Sequence, residues 1–157
     1  MFIDVQNQVW SNPTNLSATA LCTYSIDTNA VPYTAGTANG AKNNIGDGEP
    51  MAFVMAVTTA ADYSTGDETY KFDIVTATDA ALATSLTTIG SYTLAYSLLT
   101  LGAVIIMPVP AGAVVQRYIG LKYTGGGTSP LVSVTAFLQP LSMIQRQAYY
   151  TSAIVVN

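Results

Sequence analysis

The segment TYKFDIVTA, residues 69–77, alternates strictly, with Tyr70, Phe72 and Ile74 on one side of an extended chain and Lys71 and Asp73 on the other. A period of two is the pattern of a β-strand with one buried face. MAFVMAVTT (51–59) sets Met51, Phe53, Met55 and Val57 on one face and Ala52, Val54 and Ala56 on the other. Apolar on both sides, it reads as a central strand covered twice. LSATALCTYSI (16–26) reads as a strand with Leu16, Ala18, Ala20, Cys22, Tyr24 and Ile26 on one face. Further strands are expected in TSLTTIGSY (84–92), AVIIMPV (103–109), VQRYIGLKY (115–123) and LVSVTAFLQ (131–139). Turn clusters separate these runs: GTANGAKNN, STGDE, PAGA and GGGTSP. Many short strands punctuated in this way predict an all-β fold, an antiparallel β-sandwich of jelly-roll type. ATDAALATSL (77–86) has the composition for a helical turn or two between strands, with Asp79 as its N-cap.

At 157 residues the chain suits one domain with a substantial core. Residues 1–15 read as an N-terminal arm, 16–139 as the sandwich and 140–157 as a C-terminal tail. Both ends hold apolar residues that a small sandwich does not require: Phe2, Ile3, Val5, Val9 and Trp10 in one, Tyr149, Tyr150, Ile154, Val155 and Val156 in the other. Such termini either fold back on their own domain or act as arms that dock on neighbours.

Half the residues are hydrophobic and only 9% are charged. A freely soluble monomer surface carries about 25–35% charged side chains. An exterior so poor in ions is easily covered by another protein, since few charges need desolvating. The net charge of −4 rests on five Lys/Arg against nine Asp/Glu. Without a basic face, no nucleic-acid partner is expected. No apolar run reaches the length of a membrane helix, and the start, MFIDVQNQVW, shows no signal-peptide pattern. No membrane partner is expected, and synthesis in the cytoplasm is the default.

Signs of chemistry are sparse. The chain has no His, the commonest general base near neutral pH and the commonest transition-metal ligand. Cys22 is its only cysteine and reads as a small core residue; neither a disulfide nor a zinc signature can be built from it. Asp47 and Glu49 flank Gly48, and Asp62, Asp67 and Glu68 lie in ADYSTGDE. These acids read as turn and strand-entrance residues, with a structural calcium site as the minority alternative. GGGTSP lacks the Lys-Ser/Thr of a phosphate loop and reads as a hairpin turn. Ten tyrosines stand against one Trp and four Phe, a bias suited to partly wet interfaces; Tyr70 and Tyr123 are the expected core members. No catalytic residue, metal or cofactor is expected, and the protein reads as one that is not an enzyme.

Three segments add a resemblance. MFIDVQN at the start (Phe2, Ile3, Asp4, Gln6, Asn7), IGDGEPM before the central strand (Gly46, Gly48, Glu49, Pro50) and QRYIGLKYT (Arg117, Tyr118, Leu121, Tyr123) resemble the capsid cement, or decoration, proteins of tailed bacteriophages. Residues 140–157 match nothing in that pattern. The resemblance implies a jelly roll on the outer capsid surface of the virion. There it would bridge neighbouring major capsid proteins of the HK97-like fold, as a homodimer or other homo-oligomer, and reinforce the head against DNA pressure. Its contacts would come from the two arms (Phe2, Ile3, Val5, Val9, Trp10; Tyr149, Tyr150, Ile154, Val155, Val156), with Arg117 and Lys122 pairing to acidic capsid loops. The alternative is a carbohydrate-binding, head-fibre or adhesin module on the virion surface, to which Tyr63 between Asp62 and Asp67 is the only pointer.

Overall fold

In the computed structural model the described residues are 8–28, 49–114 and 116–148. Nine strands, a 3-10 turn (Tyr96–Leu98, between β6 and β7) and one α-helix are present, in the order β1 (Gln8–Leu16), β2 (Ala20–Leu21), β3 (Ile26–Asp27), β4 (Met51–Thr59), β5 (Thr69–Ala77), β6 (Thr87–Leu94), β7 (Val104–Pro108), β8 (Tyr118–Gly126), β9 (Val132–Pro140) and α1 (Leu141–Ala148). They form two antiparallel sheets, β1-β9-β4-β7 and β2-β8-β5-β6, with β3 also paired to β8. Apart from β2–β3 and the β5–β6 hairpin, every connection between consecutive strands passes from one sheet to the other. That wrapping is a jelly roll, and the expected all-β sandwich is observed.

The inward faces are those the alternation specifies. Phe53, Met55 and Val57 of β4, Tyr70, Phe72 and Ile74 of β5, and Val132, Val134, Ala136 and Leu138 of β9 meet in one core. Tyr123 packs against Phe72 with ring centroids 5.3 Å apart, and both expected core tyrosines, Tyr70 and Tyr123, are fully buried. β4 is central, between β9 and β7, and its second apolar face is covered as well. Ala52 and Val54 form a separate cluster with Phe137 and Ile144, the last contributed by α1.

Two expectations need correction, and at the C-terminus one of the two open alternatives is observed for residues 141–148. The N-terminal arm does not extend to residue 15: from Gln8 the chain is β1, paired to β9 through Trp10↔Ala136 and Leu16↔Val132. Val9 and Trp10 are 0% exposed, and the Trp10 ring meets Phe72 edge-on at 6.4 Å. Burying an indole of this size is among the larger single contributions a small core can receive, so the segment belongs inside. Secondly, 16–26 is not one strand. The chain leaves the first sheet at Leu16, turns through exposed Ser17–Thr19 and joins the second sheet as the short β2 and β3. Tyr24 is therefore mostly exposed; its N–H donates to the Val9 carbonyl at 3.1 Å, tying the two sheets along that side. At the C-terminus, the tail begins with a helix that folds back, one of the two alternatives the sequence left open, because the outer face of β4 and β9 is apolar and Ile144 covers it. The Leu141 N–H donates to the Pro50 carbonyl at 2.7 Å, and the Ser142 hydroxyl donates to Glu49.

No helix forms in 77–86. Asp79 instead accepts the N–H groups of Ala83 and Thr84, at 3.1 and 2.6 Å, and folds the loop so that Leu82 caps Val75 and Ala77. Tied from both backbone groups, chiefly Thr84, the Asp79 carboxyl is held below its ordinary pKa.

Candidate interaction surface

The connections 17–19, 60–68, 95–103 and 127–131 all emerge at one end of the sandwich, because the strand ends they link lie beside one another in the two sheets. Leu16 pairs with Val132, Thr69 with Gly126, Tyr70 with Leu94, and Ala56 with Val104. Five of the large exposed apolar side chains gather at this end: Tyr63 (42% exposed), Tyr96 (44%), Leu98 (55%), Leu101 (72%) and Leu131 (39%). Tyr63 and Tyr96 stack across the two longer loops, centroids 3.8 Å apart and planes 7° from parallel.

The loops hold one another in place. The Ala61 N–H donates to the Leu99 carbonyl, and the Asp62 N–H to the Leu131 carbonyl, at 2.9 and 2.8 Å. The Tyr70 hydroxyl, at the end of a fully buried ring, donates to the Asp62 carbonyl and lies 3.3 Å from that of Leu131. Leu99 is wholly buried, so the 95–103 loop is pinned by its side chain while Leu98 and Leu101 point outward. Thr100–Ala103 closes a turn with Gly102 at φ +80°, the value a type II turn requires at its third residue. That turn is tied to β4 by Gly102 N–H to Val57 carbonyl and Val57 N–H to Ala103 carbonyl bonds, both 2.9 Å.

The acids of STGDE complete this framework. Asp67 accepts the Thr128 N–H and hydroxyl, both at 3.0 Å, and the Thr65 hydroxyl at 2.6 Å. The Thr65 and Thr128 donors hold its carboxyl below the usual range. Burial pushes Glu68 up, but the Thr65 hydroxyl and N–H and the Gly66 N–H outweigh it, and its pKa is also lowered. The GGGTSP run answers to the same packing: a Cβ on Gly127 would collide with the Asp67 backbone, and one on Gly125 would lie 2.6 Å from the Tyr123 hydroxyl. These carboxylates organise a loop junction, and among the described residues no group of three or more His, Cys, Asp or Glu could hold a metal ion. Cys22 is half-buried beside Gly120, and burial pushes its thiol up to about 11.

Four of the residues singled out for contact, Val9, Trp10, Arg117 and Lys122, lie among the described residues, and these four do not form one surface. Val9 and Trp10 are core. Arg117 grips Asp27 with two nitrogens, Nε at 3.0 Å and Nη2 at 2.8 Å, and lies over the Tyr118 ring, so its guanidinium is engaged within the chain. Lys122 stands half-buried on the outer face of the second sheet, opposite Asp73, which Lys71 reaches at 3.2 Å. Phe2, Ile3, Val5, Tyr149, Tyr150, Ile154, Val155 and Val156 lie outside the described residues, as does Asp47. The apolar loop end itself was not foreseen from the sequence. Leu98 and Leu101 sit in a run, SLLTLGAV, whose hydrophobicity reads as core until the turn at Gly102 is known.

By class, then, the molecule is a small jelly-roll sandwich with a preformed apolar end built from three interlocked loops. The chain belongs to the Bbp16 family, whose profile matches residues 10–138. That span runs from the core tryptophan of β1 to the last inward residue of β9. No curated protein matches the chain.

Proposed function

We propose that this is a structural virion protein that decorates the outer surface of a phage head, binding the major capsid protein and stabilising the assembled shell. The observation that carries the reading is the loop end, where large apolar side chains stand exposed on a framework fixed from beneath. An exposed and ordered apolar patch of this kind marks a contact site for another protein. Membership of the Bbp16 family and the sequence resemblance to cement proteins support the same reading, as does an exterior with few charges to desolvate. The mechanism is linkage: a protein that binds the shell but not its free subunits shifts the equilibrium toward the shell. If several copies associate, their modest contacts reinforce one another, because later contacts form at high effective concentration. On this reading the chain performs no catalysis and needs no cofactor.

Pelleting tests it. Purified protein mixed with undecorated heads is expected to sediment with them and to raise their temperature of DNA release; protein left wholly in the supernatant would refute the reading. A carbohydrate-binding module is the second reading, favoured by the exposed Tyr63–Tyr96 pair beside Asp62. Binding on a glycan array, lost in Tyr63→Ala, would replace the first reading with this one.

A further inference from the structure

We propose that the loop end, rather than the chain termini, is the surface that seats on the capsid protein, and that the partner offers an apolar recess with a basic rim. This rests on the capsid-binding reading above and adds the face and the chemistry of its complement. Leu101 projects from the corner of the Thr100–Ala103 turn, at the same end of the sandwich as exposed Leu98 and the Tyr63–Tyr96 stack. The scaffold beneath is already ordered by Leu99 in the core and by backbone bonds to Val57, Ala61 and Asp62, so docking would freeze little further motion.

Charge sets the sign of the partner. The 60–68, 95–103 and 127–131 loops hold Asp62, Asp67 and Glu68 and no Lys or Arg. Lys71 and Lys122 belong to the outer face of the second sheet, and Arg117 is bound to Asp27 at the opposite end of the strands. Among the described residues the charges at this end are therefore negative, with Asp62 and Asp67 towards the surface and Glu68 buried beneath them, and a partner surface rimmed by Lys or Arg would be drawn to it and oriented by it. A second copy of this same end would meet it with like charge, which disfavours self-association there.

The test uses the full chain, undecorated heads and three proteins: wild type, the double variant Leu98→Ser/Leu101→Ser, and Asp62→Lys. Both leucines are more than half exposed, so the double variant should melt as wild type does. Its affinity for heads should fall by at least about tenfold, the scale of a lost contact hot spot. Binding of wild type should weaken as salt is raised, and Asp62→Lys should bind more weakly and respond less to salt. If wild type binds and the double variant binds equally well, this face is wrong while the capsid reading stands. A double variant that binds normally but shifts from oligomer to monomer in solution would assign the face to self-contact and likewise overturn the proposal. If wild type does not bind, both readings fall.

Discussion

Gly127 shows how much depends on a single missing side chain. It holds φ +85°, and a Cβ there would strike the Asp67 carbonyl, so the glycine is needed twice over. Gly127→Ala is expected to cost on the order of 2 kcal/mol by combining left-handed strain with a backbone collision, read as a lowered midpoint in denaturant. Tyr123 makes the opposite case. Its hydroxyl is buried without a hydrogen-bond partner, and burial, with the neighbouring Tyr70, pushes its pKa up to about 12. Removing an unsatisfied buried hydroxyl is neutral or favourable, so Tyr123→Phe should match or exceed wild type in thermal unfolding. A clear loss of stability would mean that the hydroxyl is satisfied after all. Acid acts on Asp67, Glu68 and Asp79, whose pKa values are all depressed in the fold. Their contribution is complete above the ordinary carboxylate range and disappears as pH falls through the depressed values. Melting temperature should decline through that window, and Asp67→Asn should lower it at neutral pH while flattening the decline.

Among the elements, β4 and β5 were legible to the residue because each carries a pattern that only one environment satisfies: apolar on both faces, or apolar alternating with charge. β9 and the inward tyrosines followed for the same reason. The failures share a physical cause, which is that alternation reports burial but not which sheet does the burying. LSATALCTYSI keeps its period while the chain crosses from one sheet to the other, so β1's end, β2 and β3 merged into one expected strand. The opening segment failed the other way. β1 contains Pro13 and irregular pairing between Gln8 and Thr14, which erases the period even though Val9 and Trp10 are deeply buried. Pro and bulges are ordinary protections of an edge strand, and β1 is the edge of its sheet. Helix α1 was hidden because its apolar content looked surplus until the outer face of β4 and β9 was seen to need a cover. Ile144→Ala should therefore destabilise by about 2 kcal/mol, a penalty for a partly collapsible site, measured by chemical denaturation. An unchanged midpoint would show that the helix does not contribute to stability.

For the whole molecule, burial of the first strand decides which experiments can speak to adhesion. An N-terminal truncation is the obvious way to test an anchoring arm, yet removing residues 1–10 also removes Val9 and Trp10 and the pairings Gln8↔Phe137 and Trp10↔Ala136. Trp10→Ala alone should cost about 3–5 kcal/mol, which is a large part of the stability of a domain this size. The truncated chain is expected to lose cooperative thermal unfolding and near-ultraviolet aromatic signal, and its failure to bind a shell would then reflect unfolding. A folded, cooperatively melting 11–157 fragment would contradict the placement of Trp10 at the centre of the sandwich. Substitutions at the loop end avoid this confusion, since Leu98 and Leu101 are held away from the core by the buried Leu99 between them. Core and proposed contact surface thus meet within four residues of one loop, and only changes on its outer side can test adhesion apart from folding.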